Sequence, residues 1–163
     1  MRRWFDSAKT AHDAVRALLE VERYVRVCGL GSELLELVRL RVSQINGCAY
    51  CIDRHMHDAR ALGAQEQRLH ALATWSDTPF FTDRERAALA WTEAVTRASD
   101  HRVAGDMRRQ LREHFSEKEL VDLTMAVIAI NAWNRLVISS LLTPGAYLGG
   151  RDGLLGRLPD AGS

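Results

Sequence analysis

The chain has 163 residues, enough for one domain that buries about two thirds of its unfolded surface without needing disulfides or metals. Hydrophobic residues make up 47% and charged ones 26%, and the formal net charge of +1 gives no field for holding nucleic acid. Stability at this length does not require Cys48 and Cys51, so their placement asks for a chemical explanation.

The first residues include Arg2 and Arg3, but Asp6, Lys9, His12, Asp13 and Arg16 interrupt any apolar run behind them, so no secretory signal is read. With three cysteines and no export signal, a reducing cytoplasm is the expected setting, where a close cysteine pair is more often catalytic or metal binding than structural. Apolar residues at Phe5, Ala8, Ala11, Val15, Leu18 or Leu19, and Val25 predict one helix buried on one side, ended by Gly29 and Gly31. Ser32 is placed to cap the next helix, Glu33 to Ile45, whose wide apolar stripe predicts near-complete enclosure. Asn46-Gly47 signals a turn, and a third helix is predicted from about Cys48 through Leu62, closed by Gly63.

A short helix around Gln65 to Trp75 precedes Thr82-Asp-Arg-Glu85, a capping box that opens a helix bearing Ala88, Trp91, Val95 and Ala98. After a helix near Ala104 to His114, Ser116 and Glu119 form a second capping box, with Phe115 and Leu120 placed as its hydrophobic staple. The last helix runs to about Leu142 and stops before Pro144. Its apolar stretch is long enough to suggest a membrane span, but Asp122, Asn131, Asn134 and Arg135 predict a buried helix instead. The pattern is all-α, a single-domain bundle of six or seven helices over residues 1–147, with residues 148–163 expected to form a mobile tail.

One motif specifies chemistry: Cys48-Ala-Tyr-Cys51-Ile-Asp-Arg-His55. On a helix, Cys51 and His55 share a face and Cys48 lies one turn earlier, close enough to close a disulfide with Cys51. A thiol reacts as thiolate, and a helix N-terminus or a basic partner lowers its pKa. If Cys51 attacks a peroxide oxygen, His55 can take its proton, and Cys48 can condense with the resulting sulfenic acid to release water. A structural disulfide is a weaker reading, because so short a loop restrains the unfolded chain by only roughly 2 kcal/mol. Zinc held by Cys48, Cys51 and His55 lacks a fourth ligand nearby in sequence.

Other residues carry alternatives. Glu36, if buried, would have its pKa raised towards neutrality and could pass protons, or it could form a surface pair with Arg39. Tyr50 could donate to a leaving oxygen or simply pack. His57 lies on another face from His55 and reads as a solvated histidine. Asn131, Trp133, Asn134 and Arg135 could shape a site wall or an oligomer contact, but structural satisfaction of the amides is favoured. Cys28, beside Gly29, reads as a small buried apolar residue.

The run from Glu36 to His55 resembles the core motif of the AhpD-like alkylhydroperoxidases, within the carboxymuconolactone decarboxylase superfamily. The stretches Phe81 to Glu93 and Phe115 to Arg135 extend that resemblance over roughly residues 20 to 147. It implies an all-helical homo-oligomer, trimer or hexamer, acting on an organic hydroperoxide. It also implies that Cys51 attacks, Cys48 closes the disulfide, and Glu36 and His55 relay protons. Tyr50 stands where the best-known members carry a histidine, which implies a slower or differently wired relay. The reductant in those members is a lipoylated protein, which the resemblance permits without requiring, so a thioredoxin-like or small-thiol donor stays open; no bound cofactor is implied, no metal is expected, and charge and patterning leave no nucleic acid or membrane partner expected. The alternatives are the superfamily's lactone decarboxylation, which needs no dithiol, and a non-enzymatic oligomeric redox sensor.

Overall fold

The computed structural model describes residues 3–100 and 105–149, which form eight α-helices and two 3-10 turns. No strand occurs among the described residues. α1 (Ser7–Thr10) is a single turn capped by Asp6, which accepts from the Lys9 N–H at 3.2 Å. α2 (His12–Val27) begins after Ala11, whose φ of −135° and ψ of 55° leave the helical region. The single N-terminal helix expected is therefore two, and the total exceeds six or seven. Apolar spacing reports which face is buried and is blind to a one-residue break in the backbone.

α3 (Ser32–Asn46) corrects a second expectation. Gly31 is the N-cap at φ 86°, and Ser32 is already helical, with no side-chain cap bond. Glycine takes the left-handed turn at little cost, so the serine is not needed to leave the helix. α4 (Ala49–Ala61) follows, and α5 (Glu66–Ala71) passes into a 3-10 turn, Leu72–Asp77, that is irregular at Thr74. α6 (Asp83–Thr96) and α8 (Glu117–Ser140) open with the two expected capping boxes, on Thr82/Glu85 and Ser116/Glu119. Between them lies α7 (Gly105–His114). Phe115 and Leu120 belong to one core, as a staple requires. A 3-10 turn, Ala146–Gly149, includes the first two residues of the expected tail, whose remainder, 150–163, lies outside the described residues.

α3 is the central helix, packed against α4, α6 and α8. Leu34, Leu35, Val38 and Val42 enter one apolar core with α2 and α8, whereas Leu37 and Leu40 enter a second with Ala59, Leu69, Leu72, Phe81 and Leu89. A helix buried on both sides is apolar most of the way round, which is why its enclosure was legible. α8 is long and apolar enough to cross a membrane by length and composition, yet it packs on α2, α3 and α6. Its buried Asp122 accepts from Tyr24 Oη and Lys118 Nζ, each at 2.6 Å.

Candidate active site

The turn between α3 and α4 sets the site. Gly47 ends α3 at φ 67°, its N–H bonding back to Gln44, and the Cys48 N–H reaches the Ser43 carbonyl at 3.0 Å. This is a Schellman-type closure, in which glycine supplies the left-handed residue. Asn46 locks the turn onto α8 by donating to Asn131 Oδ1 at 3.0 Å and Asn134 Oδ1 at 2.9 Å, and Asn134 in turn donates to Ser43 Oγ at 3.1 Å. The α8 amides are thus structurally satisfied, as expected. Arg135 also donates to Asn131.

The chain re-enters helix at once, with Cys48 as the N-cap of α4. Its Sγ accepts from the Cys51 N–H at 3.4 Å, so the helix N-terminus is aimed at Cys48. Cys48 and Cys51 are joined as a disulfide with Cα atoms 5.3 Å apart. Both cysteines lie in the apolar core, at 1% and 3% exposure, so access to them is restricted. Cys51, but not Cys48, lines a pocket bounded by α2, α3, α4 and α8.

Glu36 and His55 meet in that pocket, His55 Nδ1 lying 2.8 Å from Glu36 Oε2. The other carboxylate oxygen accepts from Arg39 Nη1 at 2.6 Å, and Arg39 Nη2 donates to Glu22 Oε1 at 2.5 Å. Glu22, Glu36 and Arg39 are all buried, so the Arg39 pair expected as a surface alternative lies inside the protein. Burial by itself pushes the Glu36 carboxyl upward, but hydrogen bonding and charge from His55, with Arg39, outweigh it and bring its pKa down to about 2. The expectation of a carboxyl near neutrality is therefore corrected: Glu36 is an anion. Burial also opposes the charge on Arg39, but Glu22 and Glu36 more than offset this and raise its pKa.

Among the described residues, Glu36, His55 and Asp58 bring one donor atom each within 4.8 Å of one another. Both Glu36 oxygens are already engaged by Arg39 and His55, so the trio is an ion-paired network rather than a vacant set of ligands. Neither cysteine joins it, unlike the zinc set considered from the sequence.

Tyr50 is buried in the pocket wall, its ring edge-on to Tyr147 with centroids 5.8 Å apart. Tyr147 also donates to the Asp53 carbonyl at 3.2 Å, and the Gly145 N–H donates to Asp53 Oδ2 at 2.8 Å. The segment after α8 is thereby pinned against the cysteine helix. Arg54 stacks over Tyr147 and donates to Asp58 at 2.9 Å. His57 is largely exposed, as expected, and Cys28 is half-buried rather than buried. Trp133 lines the pocket, and its buried Nε1 has no hydrogen-bond partner.

Sequence reasoning missed Glu22 and Tyr147. Glu22 had a signal, since it falls on the α2 stripe of Val15, Leu18, Leu19 and Val25, where a charge has to find a partner in the core. Tyr147 had none, because its contact spans the whole fold.

The sequence matches the Carboxymuconolactone decarboxylase family over residues 11–94. YdfG, an uncharacterized protein of Bacillus subtilis (strain 168), is 37% identical over 129 residues, covering 79% of this chain and 88% of that protein. Among solved structures, ATU0492 from Agrobacterium tumefaciens is of unknown function and named as a candidate antioxidant defence protein AhpD. It shares 36% identity at a TM-score of 0.85, covering 88% of this chain and 98% of that one. An uncharacterized peroxidase-related protein from Ralstonia eutropha JMP134, with an AhpD core, shares the fold at a TM-score of 0.76 and 23% identity, covering 94% and 80% of the two chains.

Proposed function

Because the chain belongs to the carboxymuconolactone decarboxylase family and one member of its cysteine pair, Cys51, lines the pocket, we propose that the protein is a thiol-dependent peroxidase. It reduces organic hydroperoxides through a Cys48–Cys51 dithiol/disulfide cycle. The observation that carries this reading is the position of Cys51: bonded to Cys48 on one side, it faces the pocket that contains the His55–Glu36 pair.

In the reduced protein His55 accepts the Cys51 proton, and the thiolate attacks the outer oxygen of the hydroperoxide. The O–O bond breaks, His55 returns the proton to the departing alkoxide, and an alcohol leaves Cys51 as a sulfenic acid. The Cys48 thiol attacks that sulfur, expels water and closes the disulfide. An external dithiol then donates two electrons and two protons to restore both thiols. Anionic Glu36 orients the imidazole and stabilises its charged form, which a neutral carboxyl would do poorly. The Trp133 N–H is a buried donor that a substrate oxygen can satisfy. The proposal includes an external thiol or redox-protein reductant, of which a lipoylated protein is one form, and self-association of the chain.

The test is consumption of cumene hydroperoxide in the presence of a dithiol. Cys51→Ser is expected to abolish it with the helical spectrum unchanged, and Cys48→Ser is expected to leave a sulfenic acid on Cys51 that does not resolve. A protein that forms the disulfide but never turns over with any reductant would be a redox sensor instead. Lactone decarboxylation surviving in the double serine variant would establish the decarboxylase reading.

A further inference from the structure

The pocket contains a charge that the proposed chemistry does not use. Glu22 comes from α2, outside the cysteine motif, and is 7% exposed although it is ionisable. Its carboxylate accepts from Arg39 at 2.5 Å, the same guanidinium that holds Glu36 at 2.6 Å. Glu36 then contacts His55 at 2.8 Å. These three contacts form one line from α2 through α3 to α4.

Burying a lone carboxylate is costly, and a surface position on α2 would have avoided the cost. What the line achieves is a fixed orientation and a fixed sign. Arg39 divides its two donor edges between two carboxylates, so Glu36 is held by one oxygen and keeps the other for the imidazole. Counting formal charges, Glu22, Glu36 and Asp58 balance Arg26, Arg39 and Arg54 around the pocket, and without Glu22 the wall would be cationic by one. The Glu22 charge therefore favours a proton on the Cys51/His55 pair.

We propose that Glu22 is a positioning residue for the reactive pair, acting through Arg39 on Glu36 and so on His55. This rests on the peroxidase reading for its purpose but not for its physics. The charged and titratable groups facing the pair are Glu22 and Arg26 from α2 and Glu36 and Arg39 from α3. From α4 come Tyr50, Arg54 and Asp58, while α8 contributes Ile130, Trp133 and Val137 to the pocket, none of which titrates. Arg26 lies 3.7 Å from Glu22, is more exposed than Arg39, and does not bridge to Glu36.

The experiment is the pH profile of Cys51 alkylation by iodoacetamide in the reduced full-length chain, resolved by peptide mass so that Cys28 and Cys48 do not contribute. Removing a nearby negative charge makes loss of the pair's proton easier. Glu22→Gln should therefore move the acid limb to lower pH by about half a unit or more, equivalent to about threefold faster alkylation on the acid side, and should lower the plateau. Glu22→Asp keeps the charge and should hold the limb in place while lowering the plateau. A lower plateau with an unmoved limb in Glu22→Gln would make Glu22 merely structural and overturn the proposal. If Glu22→Gln does not fold, an unaltered plateau in Glu22→Asp would overturn it equally. A shifted limb in a protein that consumes no hydroperoxide would leave Glu22 as a positioning residue and remove the peroxidase. Turnover with an unmoved limb would do the reverse.

Discussion

Glu36 is buried and charged at once, a combination that only its two partners make tolerable. Its ordinary pKa of 4.5 falls to about 2 in the fold, because His55 and Arg39 outweigh the cost of burial. A carboxyl depressed in the folded state stabilises the fold above its unfolded pKa and loses that contribution as pH falls. The window is pH 4.5 down to about 2, with roughly 3 kcal/mol lost across it as an upper estimate. Urea unfolding measured between pH 2 and 7 should show wild type losing stability in this window, while Glu36→Gln starts less stable and falls more gently. Parallel curves would show that Glu36 is not the group concerned. Cys48, Cys51 and His55 were legible in the sequence because one helical turn fixes their spacing. The charge state of Glu36 was not, since it depends on His55 from the next helix meeting it in the pocket and on the Arg39 guanidinium that Glu22, from another helix, also holds.

The joint between α3 and α4 shows how an element boundary builds a reactive centre. Gly47 occupies a left-handed position, and a Cβ added there would meet nothing within 4 Å. Gly47→Ala should therefore cost only backbone strain, about 1 kcal/mol in thermal or urea unfolding. Asn46→Ala removes the donor to the amide oxygens of buried Asn134 and half-buried Asn131 and should cost more, about 1–3 kcal/mol. If the alanine at position 47 proves the worse of the two, the anchoring to α8 is less important than the turn. The capping boxes on Thr82 and Ser116 were readable because both of their bonds lie within four residues. The break at Ala11 and the use of Gly31 in place of Ser32 were not, because side-chain type constrains backbone angles only loosely.

At the scale of the whole molecule, α8 is only partly covered. Val121 and Ile128, seven residues apart and therefore on one stripe, are 59% and 49% exposed, and Ile138 is 44% exposed. Apolar side chains aligned on a helix face suit contact with another copy, which agrees with the self-association proposed above. Sedimentation should show a homo-oligomer, and Ile128→Lys should shift it towards monomer without loss of helicity. An unchanged mass would place the contact elsewhere. The interior arrangement carries a separate implication for electron supply. Cysteines sunk in the core, on a helix whose Tyr50 and Asp53 are held by Tyr147, present no flat landing place for a broad protein donor. A slender arm, such as a dithiol at the end of a flexible chain, fits such a keyhole better. Tyr147→Ala should then speed re-reduction by a folded protein donor several-fold while changing the rate with dithiothreitol little. The kinetic discrimination between donors would thus be set by a residue that never touches the peroxide.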